Sequence, residues 1–280
     1  MYDIAVVGAG PSGLSAAINA QARGRSVIVF GRDKTTNFLY KAEKVNNYLG
    51  MPGLSGEAMT NSFHKHALDL GIEIKIGRVM QIMPMGDYFA VNFDNDIYEA
   101  RAIILATGIT KSDKIKGEDD FLGRGVSYCA TCDGMLYRNK DVAVVGRIEE
   151  ADDDVAFLSK VCSHVYYFKA HDNDREFGEN VTILKGKVKE VIGGDFVSAI
   201  KTDNGDIECK GVFFVKGAVP ADSIIAGIKL NGAAIEVDRF MRTSVDGVFA
   251  AGDATGWPFQ IANAVGEGLI AAQQADRYLK

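Results

Sequence analysis

The stretch YDIAVVGAGPSGLSAAINAQARGRSVIVF, Tyr2 to Phe30, decides the fold. It opens with a near-continuous apolar run of the kind that a strand covered on both faces requires. It continues at helical spacing and closes on a second apolar strand, SVIVF. This is a β-α-β unit with G-x-G-x-x-G at its strand-to-helix turn, as Gly8, Gly10 and Gly13. Gly8 permits the tight turn, Gly10 lets backbone approach a pyrophosphate, and Gly13 lets helix and strand pack closely, with the helix N-terminus facing the anion. The motif alone is weak, but a strand before it and a helix after it make it a nucleotide site. Such units usually end the second strand with an acid that holds a ribose hydroxyl. Here that place reads Phe30, Gly31, Arg32, which weighs against simple NAD binding and leaves FAD open.

The chain has 280 residues, 47% of them hydrophobic, which is room for two modest domains with real cores. A net charge of -6 with no basic stripe argues against nucleic acid as a partner. The N-terminus MYDIAVVGAG has no basic region ahead of an apolar core, and no apolar run approaches the roughly 20 residues that span a membrane. The expectation is a cytoplasmic protein with no membrane partner.

Two further apolar strands end in turns of small residues: AIILATG, Ala102 to Gly108, and the one opening GVFAAGDATGWPFQIANAVGEGLIAAQQADRYL, Gly247 to Leu279. Charged, glycine-bearing linkers follow the first and precede the second, at TGITKSDKIKGEDDFLGRG and VKGAVPADS. Between them, DVAVVGRIEEADDDVAFL, Asp141 to Leu158, repeats the strand-glycine-helix opening in altered form. The expected fold is α/β: two Rossmann-like, three-layer ββα domains, the second inserted into the first. The boundaries read as 1–111 with 217–280 for the outer domain and 112–216 for the insertion.

SYCATCDG places Cys129 and Cys132 in C-x-x-C spacing just ahead of the second unit. Two thiols so spaced can close a small ring, and one of them often has a low pKa and attacks other disulfides. Beside β-α-β units this reads as redox chemistry. A zinc half-site is the rival, but it needs two more ligands. Cys162 and Cys209 stand alone in apolar surroundings, so no metal is expected.

The pairing of G-x-G-x-x-G with A-T-G and G-D turns resembles the FAD-containing pyridine nucleotide-disulfide reductases. CATCDG between those turns makes nearly the whole chain resemble the low-molecular-weight thioredoxin reductases. The resemblance implies that Cys132 faces the flavin, Cys129 attacks thioredoxin, and Asp133 gives or takes a proton. It implies FAD contacts at Gly8, Gly10, Pro11, Ser12, Gly13, Asn47, Thr107, Gly108, Gly252, Asp253, Gln260 and Ile261. Asp253 would hold the ribityl and phosphate region, and the helix after it would aim its N-terminus at the isoalloxazine, favouring negative charge on reduced flavin. A homodimer is also implied. One departure is NFLY, Asn37 to Tyr40, where the family carries Gly-Gly-Gln near the flavin.

The second departure concerns the electron donor. Thioredoxin reductases carry a second G-x-G-x-x-A that holds NADPH. This chain has Gly146, Arg147, Ile148, Glu149, Glu150 and Ala151, so a branched side chain stands where backbone must approach the pyrophosphate. Glu149, Glu150, Asp152, Asp153 and Asp154 place acids where a helix start should attract phosphate. An acid ~4 Å from a phosphate charge costs about 1 kcal/mol in water and ~4 at an effective dielectric of ~20. Taken alone, the acids also suit an ordinary solvated helix start. The family's His-Arg-Arg clamp for the 2′-phosphate is replaced by a strand ending Phe168, Lys169, Ala170, with Arg175 beyond it among acids.

Flavin takes one electron or two, so a protein carrier can replace the nucleotide. This combination resembles the ferredoxin-dependent flavin thioredoxin reductases, which implies ferredoxin and thioredoxin as partners. Ferredoxins are generally acidic, and Arg32, Lys34, Lys41 and Lys44, or Lys111, Lys114 and Lys116, are candidate docking cations or simply solvated ones. Two other readings stay open: an NAD(P)H-dependent reductase with an unconventional nucleotide site, and a flavin redox sensor that does not turn over.

Overall fold

The computed structural model describes residues 1–94, 96–108, 115–128, 130–149, 151–215 and 221–280, and at Cys132 the backbone alone. The chain divides into two compact units, Met1–Lys111 with Pro220–Lys280, and Ser112–Val219.

In the first unit, β1 (Tyr2–Val7), α1 (Pro11–Gln21) and β2 (Val27–Gly31) build the β-α-β motif. They are followed by α2 (Gly56–Asp69) and β3 (Glu73–Ile76). Three strands then run antiparallel: β4 (Val79–Pro84), β5 (Phe89–Phe93) and β6 (Asp96–Leu105). The sheet order is β3-β2-β1-β6-β5-β4. The long strand β6 joins the two halves: its early residues pair with β5, while Ala100 to Leu105 run parallel to β1.

The second unit repeats the plan. It contains β7 (Val126–Ser127), α3 (Ala130–Asp133), β8 (Asp141–Gly146), α4 (Ala151–Leu158), β9 (His164–Lys169) and β10 (Val181–Leu184). A three-stranded antiparallel meander follows, β11 (Val188–Gly193), β12 (Val197–Thr202) and β13 (Gly205–Glu208), before β14 (Gly211–Val215). The sheet is parallel, in the order β10-β9-β8-β14-β7. Both faces are covered, so its strands read as unbroken apolar runs rather than alternating ones. Val142, Val144, Phe213 and Val215 pack with Ala151, Val155 and Leu158 of α4. Their neighbours Ala143, Val145, Val212 and Phe214 pack with Val188, Val191, Val197 and Ile200 of the meander. Cys162 and Cys209 belong to these two cores.

The chain returns to the first unit with α5 (Ala221–Ile224), the short strands β15 (Leu230–Asn231) and β16 (Ala234–Ile235), β17 (Val248–Ala250) and α6 (Ile261–Tyr278). β17 runs parallel to β6, with Val248 opposite Ile103. α6 lies against α1 through small residues: Ala271, Ala272 and Ala275 share a core with Ala16, Ala17 and Ala20. A Cβ on Gly268 would stand 2.2 Å from the Ser12 carbonyl oxygen, so only glycine allows this approach. Among the described residues, no helix is long and apolar enough to cross a membrane, and no group of three His, Cys, Asp or Glu side chains could hold a metal.

Candidate functional site

The first glycine turn is fixed by contacts that forbid side chains. Gly8 has φ +121°, and a Cβ there would lie 2.0 Å from the Ala106 carbonyl oxygen. A Cβ on Gly13 would lie 1.8 Å from the Gly8 carbonyl oxygen. Gly10 differs, because its Cβ would meet only the Asn37 amide, at 3.3 Å. Gly8 and Gly13 thus serve the packing of strand, turn and helix, and Gly10 leaves space beside the start of α1. Gly10 caps α1 without a side-chain bond, Pro11 occupies the first turn, and no acid stands there. The free amides of that turn remain available to an anion. Ser12 is buried beneath Gly252, whose Cβ would come 2.5 Å from the Ser12 hydroxyl.

In the same unit Thr107 and Gly108 follow directly on the end of β6, whose Leu105 pairs with Val7 of β1 on one side and Ala250 of β17 on the other. After β17, Glu267 of α6 accepts the Gly252 backbone N–H at 2.7 Å, the Thr255 hydroxyl at 2.9 Å and the Asn263 amide at 3.0 Å. Asp253 is half-buried, and burial together with the Glu267 charge raises its carboxyl above the ordinary range. Asn47 donates its amide to the Gln260 side-chain oxygen at 2.9 Å, and Ile261 packs against the small core of Leu39, Val45 and Met59. Like α1, α6 starts with no side-chain cap and no acid in its first turn. Glu267 was not among the sequence candidates. Neither was His64 of α2, which hydrogen-bonds the Ala9 backbone inside the glycine turn. Burial pushes the His64 pKa down, and its Nε2 is enclosed without a partner. A turn with space at Gly10, and two helix starts bare of caps and acids, fit a cofactor that carries phosphates.

In the second unit, Cys129, the side chain of Cys132, Lys114 and Glu150 lie outside the described residues, as does Lys111 of the first. Described residues on either side of Cys129 are held by side-chain hydrogen bonds. Ser127 donates its hydroxyl to Asp133 at 2.7 Å, and Tyr128 donates to the fully buried Glu118 at 2.7 Å.

The altered nucleotide turn keeps two of its three fingerprint positions. A Cβ on Gly146 would come 2.5 Å from the Ala151 Cβ and 2.7 Å from the Tyr167 ring, so strand and helix are still in close contact. At the middle position Ile148 is partly buried and packs against the α4 core. The described acids at this helix start differ in their surroundings. Glu149 is exposed, and Asp153 is exposed and pairs with Arg175 at 2.7 Å. Asp152 and Asp154 are buried. Asp152 accepts the Tyr167 hydroxyl at 2.6 Å and the Asn173 amide at 2.8 Å, with the His171 ring at 3.2 Å and the Lys169 ammonium at 4.0 Å. Burial alone would raise its carboxyl, but these bonds and charges outweigh it and hold the group below the ordinary range. Lys169 is turned inward, with its ammonium also on the Asn173 carbonyl and side chain. Sequence reasoning missed Tyr167, His171 and Asn173, because only the buried carboxylate gives them a common partner.

A Rossmann-like unit with a bare glycine turn, joined in one chain to a second that carries a C-x-x-C, defines a flavoprotein disulfide reductase. The chain belongs to the pyridine nucleotide-disulphide oxidoreductase family, whose model matches residues 2–268. More particularly, it is a homologue of the thioredoxin reductases. The thioredoxin reductase of Bacillus subtilis (strain 168) is 31% identical over 304 residues, spanning 100% of this chain and 95% of that protein. Two crystal structures of a ferredoxin-flavin thioredoxin reductase from Clostridium acetobutylicum are 41% identical to it. Their TM-scores are 0.89 and 0.91, over 99% and 100% of this chain and 97% and 99% of theirs. The cofactor of this family, and of this chain, is FAD.

Proposed function

We propose that the protein is a ferredoxin-dependent thioredoxin reductase, passing electrons from reduced ferredoxin through FAD and a Cys129–Cys132 disulfide to thioredoxin. The outer unit would hold the cofactor: the amides at the start of α1, beside Gly10, would bind its pyrophosphate, with Gly8, Pro11, Ser12 and Gly13 shaping the turn. Asn47, Thr107, Gly108, Gly252, Asp253, Gln260 and Ile261 line the rest of its path. When bound, FAD supplies a centre that accepts electrons singly or in pairs and delivers a pair to a disulfide. The inserted unit carries the dithiol and a pyridine-nucleotide fold that has lost its ligand.

Two reduced ferredoxins give one electron each, and with two protons these open the Cys129–Cys132 bond to two thiols. The Cys129 thiolate attacks the thioredoxin disulfide, forming a mixed disulfide and releasing one thioredoxin thiol. Cys132 then attacks the Cys129 sulfur, which re-forms the internal disulfide and releases the second thiol. Asp133, steadied by the Ser127 hydroxyl, exchanges protons with the dithiol. The chain works as a homodimer.

The observation that carries this reading is the second glycine turn, with Ile148 at its middle position and Asp152 bound by the donors at the end of β9. The name given to the Clostridium acetobutylicum protein supports the choice of donor. Anaerobic stopped-flow mixing tests it. Reduced ferredoxin should bleach the flavin within the time of turnover and NADPH should not, and Cys132→Ser should block thioredoxin reduction while leaving bleaching intact. Rapid bleaching by NADPH would overturn the choice of donor. Flavin that is reduced but never passes electrons to thioredoxin would overturn the reductase.

A further inference from the structure

The donors around Asp152 come from one place: Tyr167 and Lys169 from the last three residues of β9, His171 and Asn173 from the segment directly after it. Asp152 itself is the second residue of α4, next to the fingerprint position Ala151. In a nucleotide-binding β-α-β unit the helix start receives the pyrophosphate, and the end of the second strand receives the ribose or its 2′-phosphate. The Asp152 carboxylate therefore bridges the two places that a bound nucleotide would bridge, and its side chain is only 1% exposed.

We propose that Asp152 is a built-in anion that takes the place of a nucleotide phosphate, and that it is the residue that sets this unit against pyridine nucleotides. This rests on the reading of the enzyme as independent of NADPH. A hydroxyl, an amide, an imidazole and an ammonium converging on one carboxylate form the kind of donor set that binds an oxyanion. Here the oxyanion is covalently part of the chain, so a phosphate from outside meets donors already in use and a fixed negative charge. Ile148 excludes backbone approach to the pyrophosphate, whereas Asp152 removes the cations. Lys169 shows the division of roles, since its ammonium is held inward by Asn173 and the carboxylate rather than offered to solvent.

The test uses the full-length, FAD-loaded protein with inorganic phosphate and 2′,5′-ADP as probes in calorimetric titrations. The wild type should show no saturable binding of either at millimolar concentration. Asp152→Ser, which deletes the carboxylate and leaves space, should gain affinity for both by at least tenfold. Asp152→Asn, which keeps the bulk, should gain less. Asp152→Ala should be destabilised, and added formate should raise its melting temperature by several degrees without moving that of the wild type. This rescue is a readout that mere loss of packing would not give, and it applies even if the serine variant folds poorly. If a folded serine variant binds neither probe and formate rescues nothing while the wild type stays blind to NADPH, the assignment of Asp152 is overturned and the donor reading survives. Micromolar binding of NADPH by the wild type would overturn both.

Discussion

Glu267 accepts the backbone N–H of Gly252 at 2.7 Å, tying the middle of α6 to the turn that follows β17. The same carboxylate takes the Thr255 hydroxyl and the Asn263 amide, so one side chain fixes the conformation around Asp253. Replacing Glu267 by alanine leaves the Gly252 N–H without its acceptor, at a cost of roughly 1–3 kcal/mol if it stays dry, while the Thr255 hydroxyl keeps the Gly252 carbonyl and the Asn263 amide keeps the Pro258 carbonyl. FAD affinity should fall by at least tenfold, measured by fluorescence on dilution. Glu267→Gln, which still presents one acceptor oxygen, should lose less. Equal affinity in wild type and Glu267→Ala would show that this tie does not shape the cofactor site.

Asp253 carries a consequence of opposite sign. Its carboxyl is raised by burial and by Glu267. A raised acid gives stability that is fully present below its unfolded pKa and is lost as pH rises through its folded value. The cofactor-free protein should therefore lose stability as pH rises from the ordinary carboxylate range through the raised value of Asp253. Asp253→Asn should flatten that slope and raise the apoprotein melting temperature at neutral pH, while weakening FAD binding. A steeper slope in the variant would contradict this placement of the charge.

The glycines of the first turn divide by what a methyl group would strike. On Gly13 it meets the Gly8 carbonyl oxygen at 1.8 Å, which is backbone and cannot give way. On Gly10 it meets only the Asn37 amide at 3.3 Å, and the φ of -85° there suits any residue. Gly13→Ala should thus destabilise the fold by more than about 3 kcal/mol. Gly10→Ala should fold with a melting temperature near that of the wild type and yet bind FAD far more weakly. Chemical denaturation and flavin content separate the two.

The same contrast explains what the sequence disclosed. Gly13, Gly146 and Ala151 act between residues close in the chain, and the unbroken apolar strands follow from sheets covered on both faces, so both were legible; Gly8 was legible as part of the glycine pattern, although the atom it must clear, the Ala106 carbonyl oxygen, is distant in sequence. The Asp152 network was not, because a buried acid at a helix start looks the same in sequence as a solvated one. Its burial depends on Tyr167 and Asn173, which the sheet brings from 15 and 21 positions away. Glu267 and His64 stayed hidden for the same reason, since nothing local marks one as the acceptor for Gly252 or the other as the partner of Ala9.

Docking of an acidic carrier requires cations that are not already engaged. Lys116 pairs with Glu190 at 2.7 Å, and Lys34 bonds Asn61 at 2.6 Å, so neither is a strong candidate. Lys41 and Lys44 are exposed on the loop that Asn47 ties to Gln260, beside the fully exposed Leu49. Lys41→Glu with Lys44→Glu should slow reduction by ferredoxin at low salt and reduce its dependence on ionic strength. Chemical reduction of the flavin by dithionite should be unchanged. An unaltered salt dependence would place docking elsewhere.

The four cysteines should separate sharply in reactivity, because thiolate rather than thiol is the nucleophile. Burial pushes the Cys162 thiol up to about 11 and the Cys209 thiol up to about 12. At pH 8 a thiol with a pKa near 11 is ionised to only about one part in a thousand. After reduction and removal of reductant, a disulfide reagent should therefore titrate two thiols quickly in the native protein, and all four once it is unfolded. Cys129→Ser with Cys132→Ser should abolish the fast phase and leave the slow one. If a fast thiol persists in that double variant, one of the core cysteines is exposed in solution, and the packing of β8 and β14 against α4 and the meander is looser than the structure describes.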